Sequence, residues 1–166
     1  ITSAIYSQIE NGVVGAMTFI DIDSISGFRA LEAAVEAKRQ AAEIGFELKI
    51  CSQALKGVLE PKENRFLRGA LEKGHLDAIG GLPKVDEGYG QAHLDEILFL
   101  GREYEKRVHV HVDQLNHDLE KETELLARRT VHWAMEGRVT AVHGISIAAH
   151  NKEYRKEVYK MSRDAG

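Results

Sequence analysis

The residues best suited to chemistry lie in two short stretches, "RVHVHVDQLN" from Arg107 to Asn116 and "VTAVHGIS" from Val139. In the first, Val108, Val110 and Val112 alternate with His109, His111 and Asp113, the period-two pattern of a strand. The polar alternates of a strand are usually Lys, Thr, Glu or Ser. Two imidazoles and a carboxylate on one face can instead bind a cation or move protons. His143 ends the second stretch in the same way. Neighbouring parallel strands lie about 4.8 Å apart, so inward imidazoles on adjacent strands can share one ion. Zn²⁺ or Fe²⁺ suits such nitrogen ligands. Asp113 shares a face with His111 and is placed to hold it as a hydrogen-bond acceptor. The plainer reading is that both histidines are buried, hydrogen-bonded strand residues. His109 lies deeper and is expected to be structural. His75, His93, His117, His132 and His150 fall on helices or loops and are expected to be solvated.

The elements that position these residues recur with a steady period. Strand patterns occur in "GAMTFIDID" (from Gly15), "FELKICSQ" (from Phe46), "LDAIGGLP" (from Leu76), "VHVHVDQ" (from Val108) and "VTAVHGIS" (from Val139), with starts about 31 residues apart. Helical patterns lie between them. "GFRALEAAVEAKRQAAEIG" stops at Gly45, and "PKENRFLRGALEKG" opens on Pro61 and closes at Gly74. "QAHLDEILFLGREYEKR", "LEKETELLARRTVHWAMEG" and "NKEYRKEVYKMSRDAG" follow, and "TSAIYSQIENG" supplies a helix before the first strand. The layout is α-(βα)5, a single domain over residues 1–166.

Such a repeat implies parallel strands with right-handed crossovers. Two architectures compete. One is an open five-stranded, flavodoxin-like sheet that binds a small ligand at its switch point near Asp21, with strand order 2-1-3-4-5. The other is part of a (β/α)8 barrel, which needs roughly 250 residues when complete, so this chain makes about five-eighths of one. Doubly wound sheets bury both strand faces in apolar residues. Here the strand ends are polar, at Asp21, Asp23, Ser52, Gln53, His111, Asp113, Gln114 and His143. Histidines within strands favour the barrel, where inward side chains line a site.

Bulk properties exclude several classes. The 166 residues are 43% hydrophobic and 29% charged, as in a globular domain. The net charge of −4 gives no reason to expect nucleic acid or an anionic membrane as partner. No run of 18 apolar residues exists to span a bilayer. The one cysteine, Cys51, cannot form an internal disulfide, which fits a cytoplasmic location.

The stretch "VHVDQLN…VTAVHGIS" resembles the cytosine deaminase branch of the amidohydrolase superfamily. That branch has a strand of the form V-H-x-D-E followed some thirty residues later by V-T-A-S-H. "QIENGVVGAMTFIDID" is similar to its second strand and preceding helix, "LKICSQALKGVLEP" to its third and "LDAIGGLPKVDEGYG" to its fourth. The resemblance implies barrel strands two to six and metal-assisted hydrolysis of a C–N bond in a small amino-heterocycle or amide. It puts His111 in the place of a metal ligand for Zn²⁺ or Fe²⁺. It puts His143 where a histidine holds or polarises the hydrolytic water, and makes Asp113 its companion.

The departures are equally specific. Gln114 stands where the family has its acid/base glutamate, and an amide cannot shuttle a proton. No His-x-His precedes Val108, and the family's eighth-strand aspartate would lie beyond Gly166. A substrate-holding glutamine of the third-strand loop aligns with Leu55, with Gln53 out of register. The chain is therefore expected to be a fragment or truncated relative of a deaminase-like hydrolase, inactive alone, and to self-associate as a homo-oligomer that covers its open edges and its inner face. Ile20, Ile50 and Ile79 are candidates for that face. "DIDS" (Asp21 to Ser24) is expected to cap the following helix, and Lys84 to be a solvated loop residue. Gly80 and Gly81 are expected to serve packing.

Overall fold

The computed structural model describes residues 2–166. Five strands alternate with helices: α1 (Thr2–Glu10), β1 (Gly15–Asp21), α2 (Arg29–Glu43), β2 (Glu47–Gln53), α3 (Pro61–Glu72), β3 (Ala78–Gly81), α4 (Gly90–Glu103), β4 (Arg107–Val112), α5 (Glu122–His132), β5 (Val139–His143) and α6 (Lys152–Asp164). All pair in parallel, in the order β1-β2-β3-β4-β5. The doubled-back order of a flavodoxin-like sheet does not occur. The sheet is a curled partial (β/α) barrel, as the 31-residue period together with the histidine motifs predicts.

Local chemistry accounts for the helices. α2 is rich in Ala, Glu, Lys and Arg, all good helix formers, and buries Leu31, Ala34, Ala37 and Ala41 on one stripe. Gly45, at φ 74°, lets the chain leave it. α3 starts with Pro61 in the first turn, where a missing N–H costs nothing, and the Glu60 carboxylate accepts the N–H groups of Lys62 and Glu63.

The main core lies between strands and helices. Ile20, Ile50, Ile79, Val108, Val110 and Val112 pack there against Leu31, Leu67, Leu94, Ile97, Leu98, Leu126 and Met135. Each such aliphatic side chain contributes roughly 1.5–3 kcal/mol on burial. The three isoleucines thus face the helices, not the inner side. Period-two alternation told their face apart from its opposite but not which of the two was inward.

Register defines the inner face. Phe19 pairs with Cys51, Cys51 with Ala78, Gly80 with His109, and His111 with Val142. A Cβ on Gly80 would lie 1.9 Å from the Ser52 carbonyl oxygen, and one on Gly81 would lie 2.3 Å from Ile97 Cδ1. The two glycines therefore serve close packing between β2, β3 and α4. On a flat sheet β1 and β4 would be about 14 Å apart. Instead the rings of Phe19 and His111 approach to 4.8 Å between centroids, which measures the curl.

Candidate functional site

His111 and His143 meet at the carboxyl ends of β4 and β5. His111 Nδ1 and His143 Nε2 are 3.0 Å apart. Register alone would not produce this contact. His143 pairs with Val112, which faces the helices, so a regular strand would aim the imidazole away from His111. The His143 backbone has φ 77°, a left-handed conformation that L-residues adopt at a cost. That turn carries the ring round to the inner side. His143 is exposed, whereas His111 is half-buried.

Asp113 breaks from its strand in the same way, at φ 52°. Its carboxylate does not bond His111. It accepts the N–H groups of Glu122 at 2.8 Å and Thr123 at 3.1 Å, capping α5. In return Glu122 accepts the Asp113 N–H at 3.2 Å, and the Asp113 carbonyl accepts Ile145 N–H at 2.8 Å. Asp113 is 2% exposed and joins β4, α5 and the turn after β5. Burial pushes the Glu122 carboxyl up, and the Asp113 and Glu120 charges add to this against the Asp113 N–H bond. Gln114 follows, half-buried.

Electrostatics favour neutral imidazoles here. Burial lowers the pKa of His111, and the neighbouring His143 and His109 lower it further. Burial, then the Arg107 charge, lowers that of His109. The Nε2 atoms of both His109 and His111 are buried without a hydrogen-bond partner, two of only three such side-chain atoms among the described residues. Phe19 stacks edge-on against both rings, with centroids 6.3 Å from His109 and 4.8 Å from His111.

These donors fit a metal ion only in part. A neutral imidazole with an unpartnered nitrogen is a good ligand for Zn²⁺ or Fe²⁺. Yet no cluster of three or more His, Cys, Asp or Glu is assembled for a cation among the described residues.

Successive βα turns are laced together around this mouth. The buried Glu63 of α3 accepts the Ser24 N–H at 2.8 Å. Asp86 accepts the Val58 N–H at 3.0 Å and contacts His93 Nδ1 at 2.6 Å, while His93 Nε2 accepts the Leu82 N–H at 3.0 Å. Lys84 reaches Glu120 at 3.0 Å, and His150 Nε2 contacts the Glu120 carbonyl at 2.8 Å. His93 and His150 are therefore buried, contrary to the expectation from their loop and helix positions. Lys84 is exposed to solvent, as expected, and also pairs with Glu120. Asp23 closes its own turn by accepting the N–H groups of Ile25 and Ser26, and α2 starts only at Arg29, so Asp23 is not a helix cap. Gln53 stands beside Asp21 at the ends of β2 and β1, whereas Leu55 is exposed. The Asp86–His93 pair and Phe19 carry no sequence signal of their own, since their meaning lies in contacts between separate elements.

The fold and the site define a class, a partial (β/α) barrel with its candidate functional groups at the carboxyl ends of parallel strands. No family model matches the chain. It is 43% identical over 161 residues to an uncharacterised protein of Haemophilus influenzae, covering 95% of this chain and 57% of that one. It is 26% identical over 163 residues to N-isopropylammelide isopropyl amidohydrolase of Pseudomonas, covering 97% of this chain and 40% of that enzyme. The fold matches 5-methylcytosine deaminase of Klebsiella pneumoniae, solved with 5-fluorocytosine, with a TM-score of 0.89 at 24% identity, over 99% of this chain and 40% of that one. The chain thus spans about half or less of the length of the proteins it matches. It resembles the cytosine deaminase-like amidohydrolases over part of their barrel, as the two histidine motifs indicate.

Proposed function

We propose that this segment forms barrel strands two to six of a metal-dependent amidohydrolase that cleaves a C–N bond in a small amino-heterocycle or amide. The carrying observation is the 3.0 Å contact between His111 and His143 at adjacent strand ends. The 26% identity to an amidohydrolase over 97% of the chain supports it. A bound Zn²⁺ or Fe²⁺ would lower the pKa of its water and supply a hydroxide near neutral pH. His111 would be a ligand of that ion, and His143 would orient the water from the neighbouring strand. Asp113 would contribute by fixing the end of β4, since its carboxylate is committed to α5. Gln114 can hydrogen-bond a substrate but cannot carry a proton to the leaving amine.

The 166-residue chain alone is proposed to be inactive, because His111 and His143 supply too few ligands for a catalytic ion, which takes about three from protein. Its single buried thiol suits a reducing compartment such as the cytoplasm. Two experiments test the reading. The purified chain, given Zn²⁺ or Fe²⁺ with aminopyrimidines or N-alkylamino-triazines, should release neither ammonia nor amine. Release that His111→Ala abolishes would overturn the inactivity. A chimera carrying this segment with Gln114→Glu in place of the matching stretch of the Pseudomonas enzyme should show metal-dependent amine release that needs His111, and the chimera that keeps Gln114 should release far less. A folded, metal-loaded Gln114→Glu chimera without release would overturn the assignment to this class.

A further inference from the structure

His93 has no contact with solvent, yet both nitrogens of its ring are satisfied, each by a different part of the chain. Nε2 faces the Leu82 N–H at 3.0 Å, just past the end of β3. A backbone N–H can only donate, so Nε2 must carry a lone pair. The ring proton therefore sits on Nδ1 and is given to Asp86 Oδ2 at 2.6 Å. The same Oδ2 accepts the Val58 N–H at 3.0 Å, from the turn between β2 and α3. The Val58 carbonyl is held in its turn by Asn64 Nδ2 at 2.9 Å. The fit around Asp86 is close. A Cβ on Gly57, whose φ is 77°, would lie 2.3 Å from Asp86 Oδ1.

A fully satisfied buried polar network fixes one arrangement of its members, because any other arrangement strands a donor or an acceptor. Each group here belongs to a different piece of backbone. Leu82 and Asp86 lie on the β3–α4 turn, His93 on α4, and Gly57 and Val58 on the β2–α3 turn. We propose that His93 is a positioning residue. Held in its Nδ1–H form, it acts through Asp86 to lock the β2–α3 turn to the β3–α4 turn, so that the two form one wall of the mouth and a displacement of either is felt by the other. The coupling is reciprocal, as any coupling between two sites must be. It does not rest on the hydrolase reading and needs no metal.

The test is nuclear magnetic resonance and hydrogen exchange on the ¹⁵N-labelled chain. The His93 ring should show an unprotonated Nε2 and a slowly exchanging, downfield-shifted proton on Nδ1. His93→Leu removes both ring bonds. It should speed exchange of the Val58 amide by roughly tenfold or more, although residue 93 makes no hydrogen bond to Val58. His93→Gln keeps one donor and one acceptor and should restore part of that protection. The Ser24 amide, held by Glu63, reports on a turn outside the lock and should stay as it is. If His93→Leu does not fold, Gly57→Ala tests the coupling from the other turn. Its Cβ presses on Asp86, so it should move the His93 Nδ1–H resonance and speed its exchange. A protonated Nε2 in the parent would overturn the proposal. So would a folded His93→Leu chain with Val58 exchange unchanged, or one in which Ser24 and Val58 accelerate equally, since that is loss of global stability alone. These readouts leave the hydrolase class untouched, because that class is judged by amine release from the chimera.

Discussion

Phe19 on β1 and His111 on β4 touch edge to face across the inner side of the sheet, though two strands lie between them. The contact reports that the curl of a complete barrel is present in five strands. It also sets the character of the candidate site. An aromatic edge against an imidazole keeps water from one side of His111 and, with burial, favours its neutral form. The helix-packed core holds the strands in place on the other side, so the histidines project from a rigid surface.

Asp113 is expected to matter for stability whatever its part in chemistry. Asp113→Ala removes the acceptor for two N–H groups of α5. It should lower the unfolding free energy by about 1–3 kcal/mol, in the range of cap losses and stranded buried donors. Asp113→Asn keeps an acceptor and tolerates the left-handed backbone, so its effect should be smaller. Urea unfolding checks both. An unchanged midpoint in Asp113→Ala would refute the capping role.

Asp86 should make the fold acid-labile. Burial raises its pKa, but the His93 hydrogen bond and the Val58 and Leu59 N–H groups outweigh it, and the carboxyl lies below its usual range. A depressed folded pKa stabilises the protein above the unfolded carboxyl pKa of about 3.9 and loses that contribution as pH falls through the folded value. Asp86→Asn should unfold more easily at pH 7 and lose part of the steepness below about pH 4. Parallel pH curves for the two proteins would contradict this.

The β4 histidines act in a higher window. Both folded pKa values are lowered, so the folded state binds fewer protons than the unfolded chain as pH drops below about 6.5. Stability should decline from pH 7 to pH 5, and His109→Gln should flatten that slope. Thermal midpoints across the range give the answer, and a slope unaltered by the substitution would disprove the assignment.

Association is expected as well. β1 and β5 are open edges, with Val14 beside β1 80% exposed, and paired sheets rarely leave such edges bare. The isolated chain should form a homodimer or higher oligomer. Sedimentation equilibrium over a hundred-fold concentration range should show it, and a constant mass of 18.5 kDa would exclude it.

The repeat, the strand order and the pair His111 and His143 were legible in sequence because each follows from a period or a motif. What alternation hides is direction. His143 and Asp113 each leave their strand through a positive φ, so one ring turns inward and one carboxylate turns outward, against the faces their positions suggest. His93 and His150 look solvated by position, yet each finds a partner from a different βα unit. Such pairings are set by tertiary contact and leave no trace in local spacing.

The strictly consecutive strand order makes the molecule behave like a one-dimensional array. Each βα unit leans mainly on the units before and after it, so stability is shared between nearest neighbours in the manner of a solenoid. The middle unit around β3 has support on both sides, while the end units have it on one. Opening should therefore begin at β1 and β5 and travel inward, which places the histidine pair of β4 and β5 on the side that loosens first.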